Sequence, residues 1–319
     1  MRREKSAKRK MYEEAKLYFK NKYTNDVTSK NYVMCYKRFL NYCHEFHNAK
    51  TKDECQAHIQ DYVDYLTENK YSPSTIHTSS AAICAYHNLP LGIIRKPKRI
   101  TSEYSRGRPD NERKERNDND LNNPDYNRLV EFQKRVGIRR SELSRLTSED
   151  FLEKDGNFYV YVKRGKGGKK QRQLVLPCDV DFVKNYFTTT PKGERIFSKN
   201  EMKNHLNLHT LRAQCAKETY CFLENELRIH GEEYRKKLEA ELRQTWEKSN
   251  INPKTGKPKP FPEARLTGTY FLRGKSKEFA IKNNLPLFYD RLLVFYVSVF
   301  KLAHYRLGVT VQSYLNIKT

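Results

Sequence analysis

Residues 96–122 contain the runs KPKR, SRGRPD and NERKERNDND, and apart from Ile100, Tyr104 and Leu121 they carry almost no apolar side chain. Such a segment cannot bury enough surface to offset the entropy of ordering it. The chain must therefore build two cores, one on each side, and its 319 residues suffice for two domains of ordinary size. The expected layout is a helical domain at 1–95, a basic linker at 96–122 and a second domain at 123–319.

Lys plus Arg number 62 against 38 for Asp plus Glu, a formal charge of +24 spread along the whole chain. A surplus of this size points to a polyanionic partner. Nucleic acid is favoured over membrane, because no amphipathic basic helix dominates and no apolar run approaches the ~20 residues of a membrane span. Seven cysteines, an odd number, mostly lie in apolar helical contexts with no secretory signal before them, which reads as reduced core thiols of an intracellular protein. Cys43, His47, Cys55 and His58 are spaced C-x3-H-x7-C-x2-H, which matches no structural zinc pattern, and no metal is expected.

The first domain opens with a basic leader, residues 1–10, readable as a solvated tail or a phosphate-contacting arm. Four helical patterns follow. The first covers 11–23. The second, 28–46, repeats Tyr32, Cys35, Phe39 and Tyr42 at three- and four-residue steps. Thr51 and Glu54 form a capping box for the third, whose stripe is Ile59, Tyr62, Val63 and Leu66. The fourth starts at Ser72-Pro73 and continues through Ile76, Ala81, Ile83 and Tyr86. Four short helices with short links make a bundle.

In the second domain, residues 124–136 read as a helix, and GIRRSEL (137–143) turns sharply at Gly137 so that Arg139 projects from the next helix start. Glu142, three residues on, is placed to hold that guanidinium. FYVYVK (158–163) and QRQLVLP (171–177) alternate as strands of a hairpin. The turn between them, within RGKGGKKQR (164–172), carries five cations and no acid. It is not a nucleotide P-loop. HTLR (209–212) opens a further helix on which His209 and Arg212 share a face, and a helix N-terminus has its own affinity for anions. Residues 301–319, KLAHYRLGVTVQSYLNIKT, end the chain with His304 and Tyr314.

Taken in order, GIRRSEL, the GKGGK hairpin, HTLR, LAH and a near-terminal tyrosine resemble the tyrosine recombinase (phage integrase) family, and the N-terminal helices resemble its core-binding domain. The resemblance implies a mainly α fold with a small antiparallel β-sheet: a SAM-like core DNA-binding domain followed by an α+β catalytic domain. It makes Arg139 and Arg212 the phosphate-clamping arginines, Lys166 the hairpin lysine, His209 and His304 the two histidines and Tyr314 the nucleophile, with Glu142 supporting the first arginine. Lys169, Lys170 and Arg172 of the hairpin and Arg106 and Arg108 of the linker become candidate DNA contacts. The implied chemistry is cutting and rejoining of duplex DNA at a specific core site through a 3′-phosphotyrosyl intermediate, with no cofactor, metal or ATP. The implied assembly is a homotetrameric synapse formed from free monomers. The same chemistry without partner exchange is that of a type IB topoisomerase. A DNA-binding protein that kept the fold and lost catalysis is a third reading.

Several positions depart from the family's pattern. The usual L-G-H is L-A-H here, and Ala213 stands where a histidine often follows the second arginine. The step from His304 to Tyr314 is ten residues rather than nine. About ninety residues separate Arg212 from His304, an insertion placed at about 222–290. It is expected to begin as a charged helix over 222–248 with Leu223, Leu227, Tyr234, Leu238 and Leu242 as a narrow apolar stripe. Its expected role is to grip DNA or a neighbouring protomer, or simply to pack on its own domain. After Tyr314 only Leu315 to Thr319 remain, so contacts between protomers are expected either to come from another element, such as the 222–290 insertion, or to be weak until DNA assembles the complex.

Overall fold

The computed structural model describes residues 6–98, 121–165, 168, 170–252 and 254–317, the Arg265 side chain excepted. The fold is mainly α-helical with a small antiparallel sheet. The chain divides into two compact units, Met1–Ile100 and Thr101–Thr319.

In the first unit, helix α1 (Ala7–Lys22) starts inside the basic leader, so Lys8, Arg9 and Lys10 belong to a helix rather than to a tail. Helix α2 (Asp26–His47) is capped by the Asn25 side chain, which accepts from the Val27 and Thr28 N–H groups, and is ended by Asn48 in the left-handed region. The expected third helix is two: α3 (Lys52–Ala57) and α4 (Ile59–Glu68), divided at His58, whose φ of −102° and ψ of 18° are not helical. Thr51 caps α3 through the Glu54 N–H, while Glu54 reaches back to the Lys50 N–H at 2.6 Å. Helix α5 (Pro73–His87) has Ser72 as its cap and Pro73 in its first turn. The five helices enclose a core built round Phe19, Tyr36, Phe39, Val63 and Ile83.

The second unit begins with a 3-10 turn (Pro124–Tyr126) that feeds α6 (Asn127–Val136), and the short α7 (Arg140–Leu143) follows. Three strands then pair antiparallel in sequence order: β1 (Phe151–Lys154), β2 (Asn157–Val162) and β3 (Gln171–Val175). The hairpin of β2 and β3 was legible from its alternation. Strand β1 was not, because FLEK is too short and too exposed to show a pattern. Alternation sends Val160, Val162 and Val175 into a core with α6, α7 and α8 (Val180–Thr189), and Tyr159, Leu174 and Leu176 into a second core on the other face.

That second core is organised by two helices. Helix α9 runs from Leu208 to Ser249, interrupted only at Gly231, whose φ of 58° and ψ of −137° lie outside helical space. The charged helix expected to open the insertion is therefore not a separate element but the continuation of the HTLR helix. Its stripe faces inward: Leu223, Leu238 and Leu242 are buried and Leu227 and Tyr234 partly buried in the core that holds α11 (Arg291–Phe300), where Trp246 joins them. Helix α11 is apolar on every side and buried along its length, as such a composition requires. Between α9 and α11 lie β4 (Thr269–Phe271), α10 (Gly274–Lys282) and β5 (Phe288–Asp290), with β4 and β5 paired antiparallel. The loop after α9 is pinned by the Trp246 indole N–H, which donates to the Lys259 carbonyl at 2.8 Å. No helix among the described residues is long and apolar enough to cross a membrane.

Candidate active site

Five segments far apart in sequence supply the site: the α6–α7 turn, the edge of β3, the first turns of α9, the loop after α11 and the C-terminal segment. Gly137 ends α6 at φ 66°, and a Cβ there would meet the Cys215 Sγ of α9 at 3.0 Å. Only glycine permits both that backbone conformation and that approach. The turn is thus packed directly on α9, and the Gly137 carbonyl accepts the Arg212 Nη1–H at 2.6 Å.

Arg139 caps the start of α7. Its Nη1 donates to Glu142 Oε1 at 2.7 Å, while Glu142 Oε2 accepts the Arg139 backbone N–H at 2.9 Å. Glu142 is buried and also accepts from Gln171 Nε2 at 3.3 Å, which ties the arginine to the first residue of β3. Arg139 Nη2 donates to the Leu302 carbonyl at 3.0 Å, and Arg212 Nη2 donates to the same oxygen at 2.8 Å. Two cationic groups thus converge on one carbonyl. Arg212 is 1% exposed, and its Nε has no partner within the protein. Burial lowers the basicity of its guanidinium, and neighbouring Arg139 lowers it further.

The loop carrying Leu302 is shaped by Ser298 and Lys301. Ser298 Oγ accepts the Arg306 N–H at 3.0 Å and donates to the His304 carbonyl at 3.2 Å. Lys301 Nζ, buried, donates to the carbonyls of Arg135 at 2.9 Å and Leu174 at 2.5 Å. Just past Lys301, Ala303 is held at φ 50°, the left-handed region in which glycine is at ease. That is the position at which L-A-H replaces L-G-H.

Tyr314 lies on a C-terminal helix that begins as α12 (Leu307–Thr310) and widens into a π turn over Val311–Leu315. The Asn316 N–H donates to Val311 O, five residues back, at 2.8 Å. A π turn accommodates an extra residue in helical backbone, and it falls within the lengthened step from His304 to Tyr314. The Tyr314 ring is buried between two imidazoles, with His209 at 5.3 Å and His304 at 5.7 Å between ring centroids. The tyrosine lies beside the Arg212 guanidinium, whose basicity it raises against the effect of burial. The His304 Nε2 is buried without a partner within the protein. Burial, reinforced by Arg212, Arg139 and Arg306, brings the His304 pKa down to about 4, so the imidazole is neutral at pH 7.

Of the candidate residues, Arg139, Glu142, His209, Arg212, His304 and Tyr314 come together. Lys166, Lys169, Arg106 and Arg108 lie outside the described residues. Lys170 is exposed beside the hairpin turn. Arg172 is engaged within the domain, lying over the Tyr159 ring and donating to Thr245 Oγ1 at 3.2 Å. Sequence reasoning missed the Leu302 carbonyl, Ser298 and Lys301. Lys301 had a signal, since it stands alone as a charge at the end of the apolar run LLVFYVSVF. The carbonyl had none, because backbone groups carry no residue code.

The insertion meets the C-terminal segment through α10 and β4. Asn316 Nδ2 donates to the Ser276 carbonyl at the start of α10 at 3.1 Å, in a buried setting. A Cβ on Gly308 would lie 3.5 Å from the Tyr270 hydroxyl of β4.

No family model and no curated protein matches the sequence. Solved structures similar to it include two recombinases. One is the XerH site-specific recombinase bound to a palindromic difH substrate, a post-cleavage complex, with 13% identity over 61% of this chain and 69% of that one at a TM-score of 0.40. The other is the XerA recombinase, with 14% identity over 65% of this chain and 83% of that one at a TM-score of 0.23.

Proposed function

We propose that this chain is a site-specific DNA recombinase that uses Tyr314 as its nucleophile. The observation that carries the reading is the gathering of Arg139, Arg212, His209 and His304 around one tyrosine, in a chain with a formal charge of +24. A phosphodiester brought to this locus meets two guanidiniums that neutralise the charge developing on its non-bridging oxygens; such donors are worth ~10²–10³ in rate each. Phosphate oxygens would replace the Leu302 carbonyl as acceptors for the Arg139 and Arg212 donors that now share it.

Attack of the Tyr314 oxygen on phosphorus forms the phosphotyrosyl bond and breaks the bond to the 5′-oxygen. The tyrosine proton passes to a neighbouring base, for which His209 is the nearer ring and a neutral imidazole is required. The departing 5′-oxygen takes a proton from a general acid, the role assigned to Lys166. Because the phosphotyrosyl bond conserves the energy of the diester, a free 5′-hydroxyl reverses the reaction on the same or an exchanged strand. The substrate is duplex DNA, and exchange between two duplexes implies a tetramer assembled on DNA.

The test is incubation with nicked suicide duplexes made from candidate sites. A covalent protein–DNA adduct is expected from the wild-type chain and none from Tyr314→Phe. An undiminished adduct from Tyr314→Phe overturns the assignment.

A further inference from the structure

We infer that His47, His58 and Asp61 form a binding site for a divalent transition-metal ion of the Zn²⁺ type. One ligand atom from each lies within 4.8 Å of the others. This locus is in the first unit, is independent of the recombinase reading and uses none of its residues.

The fold brings the three together by breaking a helix. His47 is the last residue of α2, and His58 occupies the non-helical joint between α3 and α4. Had residues 52–68 formed one continuous helix, His58 would have been fixed in helical register. Instead the joint sets its ring face to face with that of His47, at 3.6 Å between centroids and 12° between planes.

Asp61 completes the set. Its Oδ2 lies 2.9 Å from His58 Nδ1, the separation of two ligand atoms bound to one metal at 2.0–2.1 Å and about 90°. A cation can therefore take the place of the proton now shared between them. The Tyr42 hydroxyl sits 3.3 Å from His47 Nε2, a contact given up when the His47 ring turns toward a metal held by His58 and Asp61. In the present arrangement the ring lone pairs run side by side. Rotation of one ring about its Cβ–Cγ bond, a soft torsion, turns them toward a common point.

Charge favours a cation here despite the basic chain. Residues 51–68 hold Asp53, Glu54, Asp61, Asp64 and Glu68 against Lys52 alone. The site also lies at the C-terminal end of α2, a 22-residue helix whose dipole attracts positive charge. Two imidazoles and a carboxylate, with room for water, suit zinc, copper or nickel better than calcium or magnesium. The sequence alone misdirects on this point. It groups His47 and His58 with Cys43 and Cys55, but both thiols are buried in the core, where Cys43 Sγ contacts the Cys55 carbonyl at 3.9 Å.

The test is calorimetric titration of the intact chain with Zn²⁺, with Co²⁺ absorption as a second readout. One equivalent is expected on the wild type, and binding weakened at least ~10-fold in His47→Ala and in His58→Ala. Asp61→Asn keeps both imidazoles and the helix joint, so it serves if the histidine variants fail to fold by circular dichroism; it too should bind more weakly. No Zn²⁺ binding by the wild type, or unchanged binding in these variants, overturns the inference.

Discussion

Arg139 and Arg212 donate to the same oxygen, the Leu302 carbonyl, at 3.0 and 2.8 Å. Two like charges sharing one acceptor repel, and the buried Glu142 carboxylate offsets this by pairing with Arg139. An anion bound at this point would relieve both guanidiniums. Replacing Arg139 with Gln should leave DNA affinity within a few-fold and slow cleavage by ~10²–10³. Measured single-turnover adduct formation that falls no more than binding does would count against a phosphate clamp.

Asn316 ties the residues after Tyr314 to the insertion through Ser276, so the insertion should act as a brace for the nucleophile. Asn316→Ala should lower the rate of adduct formation with DNA binding preserved. Equal losses of binding and cleavage in gel-shift and adduct assays would show that the contact only stabilises the domain.

Ala303 is held at φ 50° between Lys301 and His304. Replacement by glycine should raise stability by about 1 kcal/mol, since a Cβ is disfavoured there by roughly that amount. Ala303→Val should do the opposite. Urea unfolding of both variants gives the sign directly, and a glycine variant less stable than wild type would refute the strain.

Gly137 faces two obstacles to any side chain: its φ of 66°, and Cys215, whose Sγ and Cβ lie 3.0 Å and 3.1 Å from where a Cβ would sit. Gly137→Ala should cost ~1–3 kcal/mol. Adding Cys215→Ala should recover part of this loss by removing the sulfur, leaving the backbone strain and the Cβ approach. A double variant no better than the single one would remove Cys215 from the explanation.

His87 and His304 are both held at about pKa 4, below the ordinary 6.5, chiefly by burial. Between these values the unfolded chain binds protons that the folded chain does not. Stability therefore rises with pH through this window; on acidification it declines from about pH 6.5 and levels off below about 4. Urea midpoints from pH 7 to 4 should fall, and should fall less steeply for His87→Gln. An identical slope in that variant would acquit His87.

Much was legible in sequence because it depended on near neighbours. Ser72 and Thr51 cap helices through residues three positions away, and the alternation of FYVYV marks a strand whatever packs on it. The residue types of the site, Arg139, Glu142, His209, Arg212, His304 and Tyr314, were also readable as candidates from their motifs and order. Other features depended on packing across the chain. The helix opened at Leu208 continues through Ser249 because Leu223, Leu238 and Leu242 find α11 to bury against, a partner no local window contains. His58 breaks a helix that the pattern 52–68 reads as unbroken. The sequence by itself determined which side chains are available to a phosphate or a metal. Only the tertiary structure decided their shared acceptor at Leu302, their distances and the burial that sets their charge, because these arise from contacts between segments whose separation along the chain carries no geometric information.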